Sequence, residues 1–190
     1  MQILLNYVIP GLWLIFWAVW GFEALKVKAT QQSETQLSRT ITLLVIILGY
    51  VFTLSPWLRI GPLSWRFNPH TSIWIIAGVI IEAIGIGFAI AARFYLGSNW
   101  SGTITIKVDH QLVSDGPYAL TRNPIYTGIL LGVLGSAISY AAISGLVGFG
   151  LILGAYLRKI PLEEQFLTNQ FGAAYTQYRR RVKALIPFIL

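Results

Sequence analysis

From Ile125 to Leu157 the chain carries no Asp, Glu, Lys or Arg. As one straight helix this run would be about 50 Å long, well beyond a bilayer hydrocarbon core of ~30 Å. It must therefore fold back, and Ser139 to Ser144 is the stretch where a tight helical hairpin would turn to give two short membrane spans. Gly128, Gly132, Gly135, Gly148, Gly150 and Gly154 lie along it, and small residues let membrane helices approach closely. Gly148-x-Gly150 is not read as a nucleotide loop, because that fingerprint requires a preceding strand and a βαβ unit.

Three more apolar runs precede the hairpin. Ile3 to Phe22 is charge-free and rich in Trp and Leu. It has no basic leading region or small-residue cleavage site and is read as a retained span. Pro10 lies inside it, where neighbouring helices can satisfy the freed carbonyl. Ile41 to Leu58, closed by Ser55-Pro56, forms the second span, and Ile73 to Ala92 the third. The third contains Glu82, an intramembrane acid and so by default a functional hypothesis. With no second intramembrane charge to pair with, it is read as a protonated or internally hydrogen-bonded packing residue. A chain that is 55% hydrophobic and 11% charged stands far from the ~25% charge of soluble domains. The expected fold class is an all-α integral membrane protein of about five transmembrane helices, the last two a hairpin, with a C-terminal amphipathic cytoplasmic helix. It is read as one membrane domain over 1–190, with a three-span scaffold in 1–92 and the functional half in 93–190.

Five spans place the termini on opposite sides. Lys26, Lys28, Arg39, Arg93, Lys107, Arg122, Arg158, Lys159, Arg179, Arg180, Arg181 and Lys183 fall on one side, and only Arg59 and Arg66 of the 14 basic residues fall on the other. By the positive-inside rule the first group is cytoplasmic, so the C-terminus is cytoplasmic and the N-terminus outside. The net charge of +7 is thus assigned to membrane lipids and orientation, not to nucleic acid. With no cysteine, a disulfide framework, a thiolate metal site and a cysteine nucleophile are excluded, and no metal is expected.

The one long polar segment between apolar ones, Asn99 to Gly128, carries His110, Tyr118, Arg122 and Tyr126. The C-terminal segment opens with Pro161, suited to a first helical turn, and places Glu163 and Glu164 just behind it, where a helix dipole favours acids. Phe166, Phe171, Tyr175 and Tyr178 follow at helical spacing, with basic residues that would face anionic headgroups. Both segments lie on the cytoplasmic side and can meet. A histidine, two tyrosines, an arginine and a glutamate pair suit an anion or zwitterion with an aromatic part. S-adenosylmethionine is such a ligand, with an amino-acid end, an adenine and a sulfonium that aromatic faces and carboxylates attract. Backbone amides near Gly116 and at the helix start by Pro124 would take its carboxylate. Each residue also has a blander reading: His110 as a cap of the Gly116 loop, Tyr118 and Tyr126 as interfacial belt aromatics, Arg122 as an anchor, and Glu163-Glu164 as a solvated helical turn.

Asn99-Trp100, His110-Gln111-Leu112-Val113, Gly116, Tyr118, Arg122-x-Pro124-x-Tyr126, Glu163-Glu164 and Phe171-Gly172-x-x-Tyr175-x-x-Tyr178, ending at Pro187, together resemble the isoprenylcysteine carboxyl methyltransferase family of integral membrane enzymes. The resemblance covers roughly Leu96 to Pro187, and the first two spans match only as hydrophobic segments. It implies S-adenosylmethionine as cofactor, bound by His110, Gln111, Leu112, Val113, Gly116, Tyr118, Arg122, Asn123, Pro124, Ile125, Tyr126, Glu163 and Glu164. It also implies a lipophilic methyl acceptor entering from the bilayer, most simply a prenylcysteine carboxylate, held by Lys159 and Arg158 with Glu163 at the reacting centre. Two positions depart from the family. Asn123 stands where a histidine is common and cannot carry a proton, and Lys159 stands where an arginine is common and lacks its bidentate fork.

The alternatives are a phospholipid-amine or small-thiol methyltransferase, an NADPH-dependent membrane reductase with a similar Arg-His-Pro-x-Tyr stretch, and a non-enzymatic scaffold or transporter subunit. The Glu-Glu pair followed by Phe-Gly-x-x-Tyr is not expected in the reductases.

Overall fold

The computed structural model describes residues 1–25, 30–33, 35–97, 105–107 and 112–189. His110 and Gln111, like Asn99 and Trp100, lie outside the described residues.

The chain is a predominantly helical, multi-pass integral membrane bundle. A π-helical turn, Leu4–Val8, runs into α1 (Ile9–Ala24), and Pro10 sits in the first turn of α1, just past the widened turn, where a missing N–H costs least. α2 (Gln36–Leu54), α3 (Ser72–Leu96), α4 (Pro124–Tyr140), α5 (Ile143–Phe171) and α6 (Ala173–Arg181) follow. Among the described residues, four helices, Leu4–Ala24, α2, α3 and α5, are long and apolar enough to cross a membrane, and α4 is a shorter apolar helix. A two-stranded antiparallel ribbon, β1 (Thr30–Ser33) with β2 (Thr105–Lys107), joins the α1–α2 connection to the segment after α3. Its short polar strands have no apolar alternation to betray them.

The hairpin required by the uncharged run is present. α4 ends where Ala141 takes a left-handed φ of 61°, Ala142 is extended, and α5 begins at Ile143. Glycines set how closely the helices meet. α3 and α4 form the most extensive interface: a Cβ on Gly128 would lie 2.5 Å from the Gly85 carbonyl oxygen, and one on Gly135 would lie 2.9 Å from the Cα of Glu82. At the α2–α5 interface a Cβ on Gly49 would lie 2.9 Å from the Gly148 carbonyl oxygen. Such approach maximises dispersion between helices that gain nothing from hydrophobicity in lipid. Trp13, buried on α1, donates to Ser136 of α4 at 3.0 Å. Glu82 is fully buried, inside the α3–α4 contact.

The two ends of the bundle differ. At one end the segment after α2 meets the hairpin turn, with Phe67 N–H donating to Ala141 O at 3.0 Å and Ile143 N–H to Trp65 O at 2.9 Å. Tyr140 donates there to Leu5 O, and Arg59 lies over the Tyr140 ring at 3.9 Å. At the other end the α3–α4 segment meets the C-terminal residues. Among the described residues, Arg59 thus sits at the end opposite Arg122 and Arg179.

The C-terminal helix departs from expectation. The sequence reading starts it at Pro161, but α5 runs unbroken through Pro161 to Phe171, and the break falls at Gly172, with φ 55°. A mid-helix proline costs about 3 kcal/mol; buried Ile160 and Glu164 hold the helix together on both sides of it. At ~1.5 Å per residue α5 exceeds the bilayer core, so its charged portion beyond Leu157 projects past the span. Glu163 and Glu164 thus lie mid-helix, and neighbouring cations, not a helix dipole, stabilise them.

Candidate active site

The site lies where the first turn of α4 meets the extension of α5. Pro124 opens α4 after Asn123, which sets Tyr126 one turn inside. On α5, Tyr156, Lys159 and Glu163 share a face at helical spacing. Tyr126 donates its hydroxyl to Glu163, 2.8 Å from Oε1 and 2.9 Å from Oε2. Lys159 Nζ lies 3.5 Å from Glu163 Oε1 and 5.4 Å from the centre of the Tyr126 ring. Tyr156 stacks on Tyr126, with centroids 4.2 Å apart and planes 14° apart. The Glu163 side chain is 21% exposed, against 9% for Lys159 and 8% for Glu164, so Glu163 is the carboxylate of this cluster that an incoming ligand can meet.

Glu164 does different work. Its Oε1 accepts from Arg122 Nε at 2.8 Å and also from Nη2, and its Oε2 pairs with Arg179 Nε at 3.1 Å. Arg122 Nη1 donates further to the carbonyls of Val182 and Arg179. A cleft of about 360 Å³ between α5 and α6 opens beside this bridge, lined by Pro161, Glu164, Gln165, Thr168, Asn169 and Arg179.

Residues Val182 to Leu185 form a strap across the start of α4. The N–H groups of Arg122 and Asn123 donate to Lys183 O and Ala184 O at 2.8 and 3.1 Å. Asn123 Nδ2 and Thr121 Oγ1 also donate to Ala184 O, and Thr127 Oγ1 donates to Leu185 O. Asn123 thus anchors the C-terminal tail, a role served by an amide and needing no proton.

A 3₁₀ turn, Gly116–Ala119, carries Tyr118 into the same end of the bundle. Gly116 has φ 55°, a backbone conformation that favours glycine, and a Cβ there would lie 2.6 Å from the half-exposed Tyr95 ring, which would have to move. The Tyr118 carbonyl accepts from the Tyr178 hydroxyl at 2.6 Å. Burial pushes the Tyr118 hydroxyl well above its ordinary range; Tyr178 and the Glu163 carboxylate push the same way, and Arg93 opposes them. Tyr178 is pushed up to about 12, chiefly by burial, with Arg122 pulling it down. Both stay protonated donors at any working pH.

Of the residues singled out in sequence, the structure brings together Tyr126, Lys159 and Glu163, sets Tyr118 beside them, and joins Arg122 to Glu164. Val113 packs on the core and Ile125 is buried in it; Leu112 is half-buried. Arg158 is turned elsewhere, donating to Thr42 at 2.9 Å and Ser38 at 3.0 Å on α2, and does not join the cluster.

Sequence reasoning passed over Tyr156, whose spacing of three and seven residues from Lys159 and Glu163 carried the signal. It also passed over Arg93, fully buried at the end of α3, which donates to Gly97 O and Glu23 O at 2.8 and 2.7 Å and pairs with the Glu23 carboxylate at 3.8 Å. Arg179, read only as a basic residue, had no signal for its pairing.

Comparison with known proteins adds independent findings. The family model described as phospholipid methyltransferase matches residues 73–174. The chain is similar to a probable protein-S-isoprenylcysteine O-methyltransferase of Oryza sativa subsp. indica, 30% identical over 79% of this chain and 82% of that one. It is 34% identical to the protein-S-isoprenylcysteine O-methyltransferase of Schizosaccharomyces pombe, over 66% of this chain and 55% of the relative. Among solved structures it resembles that of a eukaryotic intramembrane Ras methyltransferase, isoprenylcysteine carboxyl methyltransferase. The TM-score is 0.55 at 23% identity, covering 80% of this chain and 52% of that one.

Proposed function

The chain belongs to the isoprenylcysteine carboxyl methyltransferase family and is thereby a membrane methyltransferase, and from that premise we propose that it methylates the carboxylate of a prenylcysteine-type acceptor with S-adenosylmethionine. The observation that carries the reading is the partly exposed Glu163 carboxylate framed by Tyr126, Tyr156 and Lys159. A carboxylate beside tyrosine rings fits a sulfonium-bearing ligand. When bound, S-adenosylmethionine supplies an already activated methyl group. Tyr118, Tyr126 and Glu163 would hold it, with Leu112, Val113, Gly116, Pro124 and Ile125 shaping the wall and His110 and Gln111 contributing from outside the described residues.

Little acid-base work is required of the chain. Its tasks are to align the acceptor and keep water away. The Tyr126 hydroxyl fixes the Glu163 carboxylate, and Lys159, between that carboxylate and the membrane span, offers a point charge to an acceptor carboxylate. Glu164, Arg122 and Arg179 position the α5 extension against α4. The acceptor enters from the bilayer between helices. The active site and C-terminus are placed in the cytoplasm and the N-terminus outside, with α4 as a fifth span, on the strength of the basic residues gathered at the site's end of the bundle. Residues 1–92 serve as scaffold and 93–190 as the catalytic half.

The test is methyl transfer from labelled S-adenosylmethionine, by purified protein in nanodiscs, to an S-farnesylated cysteine analogue. Label should appear as a base-labile ester. Transfer to a phospholipid amine or a small thiol, with none to the carboxylate, would reassign the acceptor. Consumption of NADPH without methyl transfer would favour the reductase alternative.

A further inference from the structure

The strap that closes over α4 leads directly into an exposed patch of mixed character. Its four carbonyls, from Val182 to Leu185, are held by Thr121, Arg122, Asn123 and Thr127, which fixes its depth at the end of the α4 span. Arg180 and Arg181 precede this anchor in the chain and Lys183 lies within it, all three exposed, whereas Arg179 is engaged by Glu164. Beyond the anchor, Ile186, Phe188 and Ile189 are 48%, 90% and 74% exposed. Three cations followed by three bare apolar side chains, at the depth where a span ends, match the layering of a leaflet: headgroup phosphates, then acyl chains. In water the exposed Phe188 and Ile189 have no compensation. An acidic soluble protein would satisfy the cations and leave the apolar residues bare.

We propose that Arg180, Arg181 and Lys183 bind anionic phospholipid headgroups, and that this binding holds the strap onto α4 and so tightens the end of the bundle that carries the site. The coupling is short. The same Arg122 that donates to the Val182 carbonyl is paired with Glu164, whose neighbour Glu163 is held by Tyr126. A ligand that prefers the docked strap to the free one shifts that equilibrium by its difference in affinity for the two.

The experiment compares backbone amide exchange at Arg122 and Asn123 in nanodiscs of phosphatidylcholine alone and with phosphatidylglycerol replacing part of it. It needs neither cofactor nor acceptor, so its outcome is independent of the proposed reaction. The two amides should exchange roughly three- to tenfold more slowly in the anionic bilayer, as expected for a few basic side chains at a charged surface. The difference should vanish in R180Q/R181Q/K183Q and persist in the control R39Q, which removes an exposed charge elsewhere. Equal exchange of the wild type in both bilayers would overturn the proposal, and so would a lipid effect that survives the triple substitution.

Discussion

Tyr126 and Glu163 stand 37 residues apart in sequence, yet the tyrosine hydroxyl sits 2.8 and 2.9 Å from the two carboxylate oxygens. That single donor ties the first turn of α4 to the charged part of α5 beyond Leu157, and it leaves the carboxylate fixed but still accessible. The residues around it divide into those that can meet a ligand and those that hold the frame.

The proposed acceptor binding assigns Lys159 to the first group, although its side chain is buried beside Glu163 at 3.5 Å. A lysine supplies charge without a fork, so Lys159→Ala should raise the KM for a farnesylated thiol-acid analogue about tenfold with little change in kcat, as loss of binding felt equally in ground and transition states. Lys159→Arg should keep or improve turnover. Arg158 points at Ser38 and Thr42, so Arg158→Ala should change neither parameter, and the double variant should match Lys159→Ala. Steady-state kinetics of the four variants decide it; unchanged constants in Lys159→Ala would point to a neutral or thiol acceptor.

Arg122 belongs to the second. Replacing it by alanine leaves Glu164, 8% exposed, with Arg179 as its remaining ion-pair partner among the described residues, and releases the Val182 carbonyl. Breaking a buried pair in this way costs about 3 kcal/mol. Arg179 is 57% exposed, and Arg179→Ala should cost no more than about 1 kcal/mol. Thermal unfolding in detergent should therefore show a clearly lower midpoint for Arg122→Ala than for Arg179→Ala. Equal midpoints would mean that Arg122 is not the central strut of this end.

Reporter fusions at the two termini should report opposite compartments, with the C-terminal fusion cytoplasmic. A shared compartment would mean that α4 and α5 do not both cross, despite the hairpin between them.

Much of this was legible in the chain. The uncharged run from Ile125 to Leu157 forced a hairpin because no bilayer accommodates its length as one helix, and the Tyr126 and Glu163 positions emerged from polar residues that the apolar pattern left unexplained. What stayed hidden has physical causes. Pro161 signals a helix start locally, but packing at Ile160 and Glu164 overrides a cost of about 3 kcal/mol. Glu164 and Arg179 look like surface charges in sequence, and only the fold against Arg122 buries the former. The tail's grip on Asn123 is made largely through backbone carbonyls, which carry no residue-specific signature.

The most direct measurement is titration of the purified protein with S-adenosylhomocysteine, by calorimetry, for the wild type and for Glu163→Ala, Tyr126→Ala and Glu82→Gln. The wild type should bind saturably. Glu163→Ala and Tyr126→Ala should lose detectable binding while keeping the helical circular dichroism of the parent. Glu82→Gln, a change buried in the α3–α4 contact away from the cluster, should bind nearly as the wild type does. Absence of binding by the wild type, or equal loss in all three variants, would contradict the assignment of Tyr126 and Glu163 to the cofactor.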